Sequence, residues 1–381
     1  MKINEVTEAI KPKVETHITH LEDAVIFGGS RGALRSIASI KTLLSDTKRE
    51  SLSLKWDGSV ALIIGRNDKG QFVMTDKHGW TAKKYDGKYT SAIQFVNQKK
   101  SKKELTPSLA AYLNKIVQLW PLMESVVPKS FIGYVWGDML WFPGELGEKG
   151  NRYIFTPNTV TYEVDKNSVL GNRIAHSVAG FAIHTFIPTA NEASEPLRTI
   201  PALNMDGPVC IVGPDVKNVA PLQYDKNKIK DVIKYIKHHA SVIDTFLNAD
   251  TLAALKMGSL PQLIATYINA RVRARDFSDL AGRFLPWVQH NERLSASMIT
   301  RVTSHCTANK EAVDAIFNII YAIMGLKNSL VDQLDSYQGD VIAHIQGARG
   351  GEGYVVNDFL GPLKYVNRAH FSAANFQVND Q

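Results

Sequence analysis

The chain has 381 residues, 44% hydrophobic and 21% charged, enough apolar mass to bury a sizeable core in two or three structural units. Its 26 glycines and 15 prolines exclude collagen-like and low-complexity architectures, and its two cysteines, Cys210 and Cys306, exclude a disulfide framework, a disulfide-linked partner and a cysteine-based zinc site. Forty-four Lys and Arg against 37 Asp and Glu give a formal +7, which favours an anionic partner, nucleic acid or nucleotide first, though such a charge also serves solubility.

The opening MKINEVTEAIKPK has no apolar stretch before a small-residue cleavage site, so a cytoplasmic protein is expected, in the host cytoplasm if a phage encodes it. From Asp23 to Ser45 the Gly28–Gly29 turn precedes apolar residues at Leu34, Ile37, Ile40, Leu43 and Leu44, the spacing of a helix. The loop GGSRGA lacks the Gly-Lys-Ser/Thr ending of a phosphate cradle, so a capped amphipathic helix starting after the glycines is the better reading. Residues 51–76 read as strand, turn and strand, with Asn67-Asp68-Lys69-Gly70 as the hairpin turn. A lysine-rich stretch at 99–103 leads to a helix near Leu109–Leu119. Strands are then expected at Phe131–Trp141, Arg152–Val164 and Val178–Ile187.

From Asp225 to Leu334 the spacing turns helical, beginning with Ile229, Val232, Ile233, Ile236, Val242, Ile243, Phe246 and Leu247. Strands return at Gly353–Val356 and Leu363–Val366. The longest apolar run, Ala315 to Met324, is interrupted by Asn318 and too short to span a membrane, so no membrane partner is expected. The fold class is therefore α+β: an antiparallel-sheet domain of residues 1–224 with 340–381, carrying an inserted all-helical module of residues 225–339. The eleven histidines show no ligand spacing for zinc, and no Gly-x-Ser-x-Gly elbow appears.

The chemistry-bearing sequence is Lys55-Trp56-Asp57-Gly58. On a continuous strand Lys55 and Asp57 share a face about 6.6 Å apart, a lysine and a carboxylate facing one pocket. Taken alone, the tetrapeptide also fits a solvated strand lysine before an ordinary turn pair. Its company in chain order is Gly137-Asp138, Gly180-Phe181, Glu352-Gly353-Tyr354-Val355-Val356, and Lys364 in GPLKYV.

In that order the motifs resemble the covalent nucleotidyltransferases, the superfamily of ATP-dependent DNA and RNA ligases and mRNA capping enzymes, and look closest to ligase-like proteins of large tailed phages. The resemblance spans Lys55 to about Arg368 and omits the helical module. It implies a ligase-like, ATP-grasp-like domain, ATP (with GTP not excluded) and Mg²⁺ or Mn²⁺. Lys55 would be the nucleophile that becomes a lysyl-nucleotide, assisted by Asp57 and Lys364. Leu54, Gly58, Lys77, Asp138, Phe181 and Glu352 would join Lys55 and Lys364 around the nucleotide. Among them Phe181 would stack on the base, and Glu352 and Asp138 would hold the metal.

The activity implied is an ATP-dependent polynucleotide ligase, with RNA preferred and DNA possible. A nick-sealing DNA ligase and a GTP-dependent capping-type guanylyltransferase are runners-up within that chemistry. From another class comes a non-catalytic nucleic-acid-binding protein with a ligase-like fold. Two departures from the family pattern stand out. Val366 occupies the place of the second lysine of the last motif, and Arg368 lies about 13 Å from Lys364 along an extended strand. Only thirteen residues follow Arg368, too few for the oligonucleotide-binding barrel of DNA ligases and capping enzymes. Arg271, Arg275 and Arg368 are the expected nucleic-acid contacts, with Arg271 and Arg275 sharing a helix face at i and i+4.

Overall fold

The computed structural model describes residues 18–48, 50–81, 89–101, 104–190, 195–197, 201–205, 207–214, 220–336, 340–358 and 360–379. The opening segment read above for a leader, and Lys102 and Lys103 of the lysine-rich stretch, lie outside these residues. The strands are β1 (Leu52–Lys55), β2 (Ala61–Arg66), β3 (Phe72–Asp76), β4 (Gly133–Trp141), β5 (Gly147–Lys149), β6 (Arg152–Phe155), β7 (Val160–Asp165), β8 (Ala179–Ile187), β9 (Glu195–Pro196), β10 (Val209–Val212), β11 (Val341–Ile345), β12 (Ala348–Arg349), β13 (Gly353–Asp358) and β14 (Gly361–Tyr365). The helices are α1 (Ala24–Ser45), α2 (Lys77–Trp80), α3 (Ala92–Lys100), α4 (Pro107–Val126), α5 (Val169–Ala175), α6 (Lys226–Phe246), α7 (Ala249–Ala254), α8 (Leu260–Arg273), α9 (Leu280–Gln289), α10 (Ala296–Ala308), α11 (Lys310–Ser336) and α12 (Phe371–Asn379). The class is mixed α+β.

The strands form three sheets. The first has the order β1-β13-β14, and its antiparallel register sets Lys55 opposite Gly353, so strands from opposite ends of the chain meet. The second has the order β10-β8-β4-β2-β3, with β9 also on β8. Its β10–β8 pair is parallel, so this sheet is mixed where an antiparallel one was expected. Strand β10 (VCIV) is a continuous buried apolar run, the pattern of a strand covered on both faces. The third sheet, β12-β11-β7-β6-β5, is antiparallel.

One face of the second sheet packs on α4 through Leu62, Ile64, Ile116, Leu119, Met123 and Phe181. The helices α6 to α11 share a core with α1 and with one face of the first sheet, where Ile236, Ile264, Phe284 and Ile320 meet Val356, Leu363 and Tyr365. Among the described residues no helix is long and apolar enough to cross a membrane, and both cysteines are free and buried.

Helix α1 runs through the glycine pair instead of starting after it, with a kink at Gly29 (φ +57°). The cause is Asp244 on α6. Its carboxylate accepts the backbone N–H and the hydroxyl of Ser30, both at 2.7 Å, and a Cβ on Gly29 would lie 2.4 Å from that carboxylate. The glycines make room for a capping side chain from another helix.

Immediately before α1, at Glu22 and Asp23, lies a buried charge cluster. Lys327 of α11 donates to both carboxylate oxygens of Glu22 at 2.7 Å. Arg368 donates to Asp23 at 2.9 Å, to Glu22 at 3.4 Å and to Asn269 of α8 at 2.6 Å. Two cations and two carboxylates thus share a water-poor site. Arg368 is 2% exposed, so the expectation that it meets nucleic acid is corrected: its guanidinium is fully engaged inside the protein.

Burial opposes the charge on Glu22, yet Lys327 and Arg368 prevail and hold its carboxyl at about 2. A depressed folded value contributes stability that is complete above the ordinary carboxylate range and is lost as pH falls through about 2. Lys327→Met removes one cation and leaves the cluster with a surplus carboxylate. The variant should lose about 3–5 kcal/mol in urea unfolding at pH 7. A loss below about 1 kcal/mol would mean that the cluster is not a keystone of the fold.

Candidate active site

Lys55 is the last residue of β1, and its Nζ pairs with the Glu352 carboxylate. Glu352 immediately precedes β13. Gly353, at φ +127°, is needed there because a Cβ would lie 2.4 Å from the Tyr365 carbonyl and 3.2 Å from the Val366 side chain. The register then aligns Ser53, Val355 and Lys364 across three strands. Directly opposed residues share a face, so Lys364 stands on the same side of the sheet as Ser53 and Lys55. Burial lowers the Lys364 ammonium from its ordinary value, and the Lys55 charge adds to the effect. Val366 is 2% exposed and packs with Trp56, Trp141 and Phe155, so the place of a second motif lysine is core. Leu54 points the opposite way from Lys55, into the apolar cores, while its N–H donates to the Pro214 carbonyl at 2.7 Å.

Asp57 lies beyond the end of β1, so the strand face expected for Lys55 and Asp57 together is not formed. Its carboxylate is buried and accepts from Asn158 Nδ2 at 2.9 Å, Thr159 N–H at 2.7 Å and Val160 N–H at 2.9 Å. Its own N–H donates to the Tyr162 hydroxyl at 2.7 Å. Asp57 clamps the segment after Lys55 onto the start of β7; its role is positioning. Gly58 has a steric cause as well, since a Cβ would lie 2.2 Å from Asp138 Cβ and 3.1 Å from the Met139 carbonyl. The glycine lets the loop after Lys55 cross β4 at Asp138.

Asp138 is half-buried, and its Oδ2 lies 3.5 Å from His184 Nε2. His184 is the extra residue of a β-bulge: Trp136 opposes Thr185 while Gly137 opposes Ile183. Bulges re-aim side chains, and this one sets the His184 ring 5.9 Å from half-buried Trp136. Lys77 opens α2 directly after Asp76, which aligns with Leu62 and Gly137, so Lys77 follows at the level of Ala61 and Asp138.

Burial pushes the Glu352 carboxyl up to about 7; Asp57 and Asp138 add to the rise and Lys55 opposes it. The site thus joins Lys55, Glu352, Lys364 and Asp138, with Lys77 near the same sheet edge.

Three other expected residues are elsewhere. Phe181 is fully buried in the core against α4, and its ring would lie 2.8 Å from a Cβ on Gly137. It has no free face for a base, and this corrects the stacking role. Arg271 donates to the Asp276 carbonyl at 2.9 Å and to its carboxylate at 2.5 Å, closing the α8–α9 loop, so it too is corrected as a nucleic-acid contact. Helix α8 ends at Arg273, and Arg275 sits beyond it at φ +52°, so the expected i, i+4 pair does not exist. Trp136 and His184 were missed by sequence reasoning. Alternation along GYVWGDM signals Trp136 once Asp138 is taken to face the site; the bulge that turns His184 has no such signal.

A carboxyl raised above its ordinary value favours folding when protonated, and that contribution is lost as pH rises through about 7. Glu352→Gln should therefore be more stable than the unaltered protein at pH 8, by on the order of 1–3 kcal/mol, and equal to it only below the ordinary carboxylate range, near about pH 3.5. Equal melting of the two proteins at both pH values would contradict the raised carboxyl.

No curated protein and no solved structure matches this chain. A family model does, over residues 15–380. The chain belongs to that family, DUF6267, a family of unknown function.

Proposed function

We propose that the chain is a covalent nucleotidyltransferase with a ligase-like domain in residues 1–224 and 340–381, acting as an ATP-dependent ligase on RNA. The observation that carries this reading is the contact of Lys55 with Glu352, with Lys364 on the same sheet face. Residues nearly 300 positions apart, each expected from the motif order, meet at one strand end.

In this reading Lys55 Nζ attacks the α-phosphorus of ATP, an N–P bond forms, and the bond to the bridging oxygen breaks to release pyrophosphate. Attack requires that Nζ give up a proton. Glu352 touches Nζ and can receive that proton before an ion is bound, passing it to water when the carboxylate turns to the ion. Lys364 meets the charge that develops on the α-phosphate. Asp57 holds the loop that fixes Lys55, and Trp136 offers the base an aromatic face in place of Phe181. The AMP then passes to a 5′-phosphate end, and a 3′-hydroxyl displaces it to seal the strand.

Among the described residues no group of three acidic, His or Cys side chains stands ready for a metal. Two carboxylates, Glu352 and Asp138, fit an ion that completes its shell with substrate phosphates and water, as Mg²⁺ commonly does. Bound there, Mg²⁺ or Mn²⁺ would neutralise phosphate charge.

Buried Val366 and Phe181 favour a second reading, a nucleic-acid-binding protein without transferase activity. Incubation with α-labelled ATP and Mg²⁺ or Mn²⁺ separates the two. The protein should take up acid-labile, denaturation-stable label, whereas Lys55→Ala and Lys55→Arg should take up none, because arginine cannot surrender its proton. A panel of labelled GTP, nicked DNA and single-stranded RNA assigns nucleotide and substrate. Labelling of Lys55→Ala at the level of the unaltered protein would remove the nucleophile. Trp136→Ala should raise the ATP concentration for half-maximal labelling roughly threefold to tenfold. Phe181→Leu should lower stability and leave that concentration unchanged; the reverse pattern would return the base to Phe181.

A further inference from the structure

With Arg271 and Arg368 engaged inside the protein, a row of exposed basic residues on α6 is open to a polyanion. Lys226, Lys230, Lys234 and Lys237 recur at i, i+4, i+8 and i+11, which places them within about 80° of the helix circumference and along roughly 16 Å of its length. All four are exposed, and none has an ion-pair partner among the described residues. Lys228 points to the other flank, and Asp231 stands about 60° from the nearest lysine of the stripe. Like charges at this spacing repel one another, so folding alone does not explain the stripe. The neighbour on its other side is not acidic. Helix α1 contributes Lys41, also exposed, at the rim of a cleft of about 360 Å³ between the end of α1 and the start of α6. Leu44, Ile229 and Ile233 give that cleft an apolar lining, and Tyr224, 44% exposed, stands at its edge.

A row of lysines beside an apolar cleft with an exposed aromatic ring combines the two elements that hold single strands: cations for the backbone and a face for an unstacked base. A duplex keeps its bases stacked and fills only the first. We infer that the lysine face of α6 and the cleft at Tyr224 bind single-stranded RNA, with phosphates on Lys226, Lys230, Lys234 and Lys237 and a base against Tyr224. The choice of RNA rests on the function proposed above; the polyanion and the unstacked base follow from the surface itself. The helical segment thereby supplies a strand-binding surface of its own, apart from the face of the first sheet that carries Lys55.

Anisotropy of a short fluorescein-labelled single-stranded RNA, titrated across a salt series, tests this. Changing the four lysines to Gln should weaken binding by about tenfold or more at low salt and reduce the log–log salt slope by about 3, from four lost contacts at about 0.7 each. Lys228→Gln should change neither. Tyr224→Ala should weaken single-strand binding about tenfold and duplex binding not at all, with Tyr224→Phe restoring it. Unchanged affinity and slope in the four-lysine variant would overturn the surface. Equal losses on single strand and duplex in Tyr224→Ala would overturn the cleft, and tighter binding of the same sequence as DNA would overturn the choice of RNA. Because the stripe is remote in role from the nucleophile, the four-lysine variant should still label on Lys55. RNA binding through α6 without any labelling would remove the ligase reading and leave this one standing. Labelling with undiminished RNA binding in the variant would do the opposite.

Discussion

Four charged side chains taken out of water, Glu22, Asp23, Lys327 and Arg368, hold the two ends of this chain together. Arg368 comes four residues after Lys364, and Glu22 and Asp23 lead into α1, whose far end connects to β1 and Lys55. Lys327 belongs to the longest helix, so the cluster also fixes the helical segment against the first sheet. Buried ions are tolerated only when every charge has a partner, and here each does. The register that brings Lys55 to Gly353 is made by β pairing, but its closure over some 300 residues of chain is secured by this cluster.

The site itself is held at a cost. Glu352 is desolvated close to Asp57 and Asp138, and a single lysine contact does not restore its ordinary acidity. Asp57 is not spare: both its oxygens are committed to the turn at 158–160. Glycines make the rest possible, because Gly58 and Gly353 each occupy a place where a Cβ would strike neighbouring atoms. The two glycines of the motifs are thus steric requirements of bringing β1, β4, β13 and β14 to one point.

Much of this was legible in the sequence. Alternation and turn chemistry located the hairpin of β2 and β3, the strands β4, β8, β13 and β14, and one β stretch at 152–164 that the structure divides into β6 and β7, while helical spacing located α6 and marked residues 225–334 as helical without separating the helices that follow. Lys55, Asp138, Glu352 and Lys364 stand out in the motif order alone. What the sequence concealed were partnerships across long separations. Phe181 has the same type whether it stacks on a base or fills a core, and only the packing of α4 decides. Arg271 and Arg368 look free in a one-dimensional reading because Asp276, Glu22 and Asp23 are recognised as their partners only in the fold. The Gly28–Gly29 pair suggested a helix start, since nothing local reveals that Asp244 arrives from α6 to cap the kink.

In the proposed reaction Lys55 carries a nucleotide through its side-chain nitrogen. Peptide mass spectrometry of the protein incubated with ATP and Mg²⁺, then digested without acid, tests it most directly. An AMP adduct is expected on the peptide containing Lys55, absent when ATP is omitted. An adduct mapped to another lysine, or none under conditions where the protein remains folded, would contradict it.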